Sequence, residues 1–330
     1  MFAFKESRTL IWITAPFATA FLIAPATATA QTWPNRSIHL IMPAPAGGNN
    51  DAVGRILAQG ISTILKAPVV VENRTGAGGI TGVQYAAAQA ADGYTLLFGI
   101  TGTISIMPHL KKLPYDPAAA FVPISMVAMT PLILVSTKPF DTKDLNSFIR
   151  KIRQSPGRYN YATPGNGTIN HIAMEALKIR ANLDIVHVPY SNVPTVQPLL
   201  ANDVQAAYDA IPGSAPHVAT GALAGLAVTG RTRTSSLPDV PTLTELGFPG
   251  MENMFAWMGL LAPVGTPPEI VAILNAATAQ VLNELDTKTR INRLGVETIF
   301  GTPAEMKTFM DATSQIYKEI IITAKITTEN

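Results

Sequence analysis

The chain has 330 residues, no cysteine, 47% apolar side chains and nearly balanced charge, with 24 lysines and arginines against 22 aspartates and glutamates. A disulfide framework is excluded, and so is a concentrated basic surface for nucleic acid, since the longest basic run is Lys111-Lys112. The length is enough for two lobes with their own cores, burying about three quarters of the surface of the unfolded chain.

Lys5 and Arg8 open the chain, Leu10 to Pro25 is almost entirely apolar, and Ala28-Thr29-Ala30 has the small-x-small form of a cleavage site. Residues 1–30 are therefore expected to be a secretory signal peptide cleaved after about Ala30. A membrane span is the competing reading, but Pro16 and Pro25 interrupt a run already short of about 20 apolar residues. With no cysteine to carry a lipid, the mature protein is expected to be soluble in the periplasm. Trp12 falls in the signal, Trp33 is expected to anchor the mature terminus and Trp257 to sit in the core.

Ser37 to Met42 reads as a strand, and Val53, Ile56, Leu57, Ile61 and Ile64 then recur at helical spacing. Between them lies Met-Pro-Ala-Pro-Ala-Gly-Gly-Asn-Asn-Asp (42–51), a loop that offers backbone rather than side-chain chemistry. Asp51 is expected to be the helix N-cap, so that unpaired N–H groups at the positive end of the helix form an anion seat. Pro68 to Asn73 is a second strand, Gly76 to Gly79 breaks it, and a helix runs to about Ala90. For Gly76 to Gly79 a close helix-to-sheet turn is preferred over ligand contact. Tyr94 to Gly99 is a third strand, with the hydroxyls of Thr101 to Ser105 at its carboxyl end. Strands alternating with helices imply parallel pairing.

Met126 to Ser136 reads as a long strand crossing between lobes, followed by a helix marked by Leu145, Phe148, Ile149 and Ile152. The opening layout then recurs: strand Tyr159 to Thr163, loop Pro164-Gly165-Asn166-Gly167-Thr168, and a helix through Leu177. Strands are expected over 184–190, 204–209 and 223–229, with a short helix over 193–200. Met254 to Pro263 is a second crossing and Val296 to Phe300 a last strand. Thr242-Leu243-Thr244-Glu245, Thr266-Pro267-Pro268-Glu269 and Thr302-Pro303-Ala304-Glu305 each have the form of a capping box. The C-terminal region is expected to pack back on the first lobe. The fold class is α/β: a two-lobed binding protein with a mainly parallel sheet in each lobe and two crossing strands. Lobe one takes residues 31–130 and 257–330, lobe two residues 131–256.

No Gly-x-Ser-x-Gly supplies a nucleophile elbow, and His39, His109, His171, His187 and His217 lack metal-ligand spacing. No enzymatic activity, metal or cofactor is expected. The glycine loops at 76–81 and 165–170 resemble a dinucleotide fingerprint but place Thr81 and Asn170 where its third glycine belongs. The better reading pairs the loops 45–51 and 163–171. Open parallel sheets bind ligands outside the carboxyl ends of their strands, and two such ends across a hinge would grip both ends of a small anion. Asp209 ends another strand, where it either receives a ligand hydroxyl or amine or caps the next helix.

Pro-Ala-Gly-Gly-Asn-Asn-Asp (45–51), Val-Val-Val-Glu-Asn-Arg-Thr-Gly-Ala-Gly-Gly (69–79), Asp-Gly-Tyr-Thr-Leu (92–96), Leu-Pro-Tyr-Asp (113–116), His-Val-Pro-Tyr (187–190) and Leu-Pro-Asp-Val-Pro-Thr (237–242) occur in this order. The chain thereby closely resembles the Bug family, the periplasmic solute receptors of tripartite tricarboxylate transport systems. The resemblance implies a type II, Venus-flytrap receptor that encloses an organic acid and performs no chemistry. It implies ligand contacts at Ala46, Gly47, Gly48, Asn50, Asp51, Thr101, Thr103, Gly165, Asn166, Gly167, Thr168, His171 and Asp209. The implied partners are membrane permease subunits, and a monomer is expected. The alternatives are a receptor feeding a membrane sensor and, from another class, a dinucleotide-dependent oxidoreductase. Ala44 stands where the family often has a bulky aromatic, and Ser191-Asn192 where lysine and glycine are frequent, so the identity of the acid is left open.

Overall fold

The computed structural model describes residues 33–190 and 193–327, together with Met1 and Ala3. Apart from Met1 and Ala3, the segment expected to be a signal peptide, Trp12 included, and the Ser191-Asn192 departure lie outside the described residues. The strands are β1 (Ile38–Met42), β2 (Val69–Asn73), β3 (Thr95–Ile100), β4 (Phe121–Thr137), β5 (Asn160–Thr163), β6 (Val186–Pro189), β7 (Ala206–Ala210), β8 (Leu223–Val228), β9 (Phe255–Pro263) and β10 (Glu297–Thr298). The helices are α1 (Asn49–Leu65), α2 (Ile80–Ala87), α3 (Met107–Leu110), α4 (Pro117–Ala120), α5 (Leu145–Gln154), α6 (Ile169–Ala181), α7 (Val196–Leu200), α8 (Ile211–Ala219), α9 (Pro268–Asn283), α10 (Leu285–Arg293) and α11 (Pro303–Ala324). Among the described residues no helix is long and apolar enough to cross a membrane.

One mixed sheet runs β2-β1-β3-β9-β4-β7-β5-β6, with β8 and β10 also paired to β4. The parallel sets are β1, β2, β3 and β5, β6, β7. Strand β4 belongs to both halves of the sheet. From Phe121 to Pro131 it pairs with β9, and from Leu132 onward with β7, while β8 flanks it from Ile133. The change of partner falls at Pro131, which has no N–H to give a ladder.

These pairings fix where the loops point. β3 is antiparallel to β9, and β9 to β4, so β3 runs with β4 toward the second half of the sheet. β7 is antiparallel to β4 and runs back toward the first half. The carboxyl ends of both parallel sets therefore meet near the middle of β4, where Ile100 lies level with Met258 and Ala128, and Ala210 with Leu132.

Both faces of each half are covered by apolar side chains. On α1, Val53, Leu57 and Ile61 are buried against a cluster with Leu40, Met42 and Phe98. Each such side chain taken fully out of water contributes about 1.5–3 kcal/mol. Helix α5 buries Leu145, Phe148, Ile149 and Ile152, as its spacing predicts, and Trp257 is fully buried. Trp33 packs on the first cluster, its ring 6.0 Å from that of Tyr94. Helix α11 spans both halves: Met306 packs with Phe121 and Trp257, whereas Tyr317, Ile320 and Ile321 join Phe148, Tyr161 and Ile172. The C-terminal region therefore packs on the second half as well as the first.

Several local expectations are corrected. The Thr302–Glu305 capping box forms, but the one at Thr266–Glu269 does not. Thr266 turns its hydroxyl back to the Pro263 carbonyl at 2.8 Å, and α9 begins uncapped after Pro267. At Thr242–Glu245 the two reciprocal bonds are made, yet they close a turn rather than a helix, because Gly247 adopts a left-handed conformation and Pro249 follows. The last strand is reduced to Glu297–Thr298 and α2 ends at Ala87. After β3, Thr101 leads into a π-helical turn, Gly102–Ile106.

Candidate functional site

The loop from β1 to α1 is exposed from Pro45 to Asn49. Gly48, not Asp51, is the N-cap of α1, and Asp51 is the third helical residue. This corrects the capping assignment, and the reason lies in long-range partners. The buried Asp51 carboxylate accepts from Gly47 N–H at 2.9 Å, from Arg55 Nε at 2.9 Å and from Asn73 Nδ2 at 2.8 Å. Asn73 also donates to the Ala44 carbonyl at 3.0 Å, and Arg55 Nη2 donates to Asn73 Oδ1 at 2.8 Å. The Arg55 hydrogen bond holds the Asp51 carboxyl down at about 2, against the opposing effect of burial. Asp51 thus bolts the loop to β2 from behind. The first intrahelical bond runs from Ala52 N–H to Gly48 O, so the N–H groups of Asn49 and Asn50 have no acceptor within the helix. Ala44 is buried with the β1–α1 core, its methyl among Met42 and Val53.

The neighbouring glycine loop divides by burial. Gly76 to Gly78 are exposed, but Gly79 is buried, and a Cβ there would stand 2.5 Å from the Pro43 carbonyl oxygen and 2.8 Å from Thr103 Cγ2. Close packing is what this residue serves. Thr101 is buried and bonded at both ends to Trp257, accepting from its N–H at 2.6 Å and donating to its carbonyl at 3.2 Å. The Thr103 hydroxyl donates to Ile100 O at 3.3 Å. Both threonines brace the wall of the site rather than extend free donors into it.

Across from these, the β5–α6 loop is partly exposed at Gly165, Asn166 and Thr168 and buried at Gly167. Thr168 is the N-cap of α6, its hydroxyl accepting from His171 N–H at 3.4 Å. Gly167 donates its own N–H to His171 Nδ1 at 3.2 Å, so that ring nitrogen faces its own loop. Asp209 is buried at the start of α8, accepting from Ser214 Oγ at 2.8 Å and bonded also to Thr195 and the Ala210 backbone. Burial pushes its carboxyl up. α8 takes Ala210 as its N-cap with no side-chain cap, so these partners hold Asp209 in place without capping the helix.

Two contacts join the halves around this opening. A Cβ on Gly167 would meet Leu110 Cδ1 at 2.2 Å, and one on Gly295 would meet Pro212 Cγ at 1.8 Å. Within the first half, Asn49 Nδ2 donates to Leu294 O at 3.4 Å. The sequence pattern gave no site role to Arg55, Asn73, His187, Pro212 or Gly295. Asn73 and His187 stand in the motifs at 69–79 and 187–190, but their partners are not written there. The arrangement offers helix-start N–H groups, neutral side chains and a buried carboxyl already engaged by its own neighbours, which suits holding a small polar anion.

The family profile described as tripartite tricarboxylate transporter family receptor matches residues 53–326. BugT of Bordetella pertussis is 34% identical over 299 residues, spanning 89% of this chain and 90% of the relative. Among solved structures, R. palustris Rpa4515 with adipate aligns with a TM-score of 0.77 at 31% identity, covering 89% of this chain and 99% of that one. MatC from Rhodopseudomonas palustris with bound malate aligns with a TM-score of 0.74 at 30% identity, covering 88% and 100%.

Proposed function

This chain belongs to the tripartite tricarboxylate transporter receptor family, the Bug-type periplasmic solute receptors, and from that premise we propose that it encloses a small carboxylate and delivers it to a membrane permease. It performs no chemistry on its ligand. The observation that carries this reading is the meeting of two sets of strand ends at the middle of β4, with the starts of α1 and α6 beside them. Helix-start N–H groups favour a negative group without needing a cation. The seats are Ala46, Gly47, Gly48 and Asn50 on one side and Gly165, Asn166 and Thr168 on the other. Thr101, Thr103, Asp51, Gly167, His171 and Asp209 shape them from behind. Adipate and malate, bound by two relatives, support a carboxylate as the ligand class.

The lobes divide at Pro131, with 31–130 and 257–330 on one side and 131–256 on the other, and α11 spans both. The receptor works as an exported monomer, its leader removed after about Ala30.

A thermal-shift screen of mono-, di- and tricarboxylates and aromatic acids tests the reading. A ligand that binds only the folded protein stabilises it by about 2.7 kcal/mol at a hundredfold excess over Kd. One acid is expected to raise the melting temperature by several degrees, with nicotinamide and flavin cofactors giving no shift. A broad panel of acids without any shift would remove the carboxylate from the proposal.

A further inference from the structure

Behind the β5–α6 loop lies a buried polar cluster that ligand contact does not explain. The rings of His171 on α6 and His187 on β6 stack with centroids 3.9 Å apart and planes 16° from parallel. His171 Nδ1 accepts from Gly167 N–H, which leaves the ring hydrogen of the neutral form on Nε2, 4.0 Å from Glu175 Oε1. His187 Nε2 lies 2.6 Å from Thr163 Oγ1, and that hydroxyl accepts from Gly165 N–H at 3.2 Å. Each histidine thus reaches one glycine of the loop, His171 directly and His187 through Thr163.

We infer that His171, stacked on His187, is the positioning residue of the second-lobe ligand loop and holds it only while neutral, so that acid releases both loop and ligand. The reason is geometric. A proton on Nδ1 would set an N–H against the Gly167 N–H, removing the bond and opposing two donors. The stacked partner offers no relief, since two cationic rings face to face repel.

The surrounding charges are all close. Glu175 accepts from the Tyr161 hydroxyl at 2.5 Å and from Lys178 Nζ at 2.7 Å, so its carboxylate is already engaged. Lys178 and, from the chain after α11, Lys325 line a cavity of about 200 Å3 with both histidines and Asn166. That cavity gives protons a route in. Burial first, and then the Lys178 charge, push His171 down to about 4; burial and the His171 ring do the same for His187. Because the unfolded chain takes up these protons near pH 6.5, the contribution to stability is complete above that pH and is lost as pH falls from there through about 4.

This inference rests on the loop being half of the ligand site, and the test separates the two. In the ligand-free protein, the protection factor of the Gly167 amide and the His171 ring nitrogens are followed by NMR from pH 7 to pH 3.5. Affinity for malate and adipate is measured over the same range. Protection should fall as His171 takes up its proton, and affinity should weaken below that point more steeply than protonation of the acids themselves accounts for. His171→Asn keeps an acceptor near Nδ1 but cannot titrate; it should flatten the protection profile and leave only the ligand's own titration in the affinity profile, whatever its affinity at neutral pH. His171→Phe keeps the stack without the acceptor and should leave Gly167 unprotected throughout. A His171→Asn protein that loses protection at the same pH as the native one, or a native Gly167 amide that stays protected once His171 is charged, overturns the inference. If neither acid binds at pH 7 yet Gly167 still follows His171, the ligand class fails and the positioning role stands.

Discussion

Alanine at position 295 is expected to weaken ligand binding at least a hundredfold, about 2.7 kcal/mol, while changing the melting temperature of the ligand-free protein much less. Gly295 sits at φ 67°, and its missing side chain is where Pro212 lies, with the ring Cγ only 1.8 Å from an added Cβ. A left-handed alanine costs about 1 kcal/mol by itself. The larger penalty comes from the overlap with a rigid ring. That ring belongs to α8, on the far side of the opening from the turn that carries Gly295, so parting the two halves relieves the clash. Binding, which needs them together, bears the cost. Pro212→Gly in the same chain clears the obstacle and should restore most of the affinity, giving a large coupling in a double-mutant cycle. Calorimetry on the four proteins, with small-angle scattering for compactness, measures this; additive losses would mean that Gly295 and Pro212 act separately.

Asp51→Ala is expected to lower unfolding stability by about 2–3 kcal/mol at neutral pH, since it strands Gly47 N–H, the Asn73 amide and the Arg55 guanidinium. In a chain of this size that corresponds to a fall in Tm of roughly 5 °C. The effect has a pH signature. The folded carboxyl titrates at about 2 against 3.8 for the free group. Its stabilisation, about 2 kcal/mol, is therefore present above pH 3.8 and is lost as pH falls through 2. Thermal melts of native and Asp51→Ala proteins should differ at pH 7 and converge toward pH 2. Identical melts at pH 7 would show that the bolt between α1 and β2 holds nothing.

Much of the architecture was legible because burial leaves a local period. Val53, Leu57 and Ile61 mark one face of α1, the β-branched run at 69–71 marks β2, and Thr302 with Glu305 marks the start of α11 through bonds three residues apart. Both loops of the proposed site follow the same grammar of strand, glycine and helix. The individual roles were not, because their partners are distant. Asp51 looked like a cap until Asn73, 22 residues on, claimed its second oxygen. Thr101 looked like a free hydroxyl until Trp257, 156 residues on, engaged it at both ends. The pairing of His187 with His171 was not legible, since stacking requires two elements to be laid side by side.

The sequence by itself determined the alternation of strands and helices, the two glycine loops and the family, since each is written in near neighbours along the chain. Only the tertiary structure decided that the strand ends carrying these loops turn toward the middle of β4, because that depends on β4 running with β3 on one side of Pro131 and against β7 on the other. It also decided which polar groups remain for a ligand. A donor or acceptor is free only after every partner in space has been counted, and space is where Asp51, Thr101 and His171 find theirs.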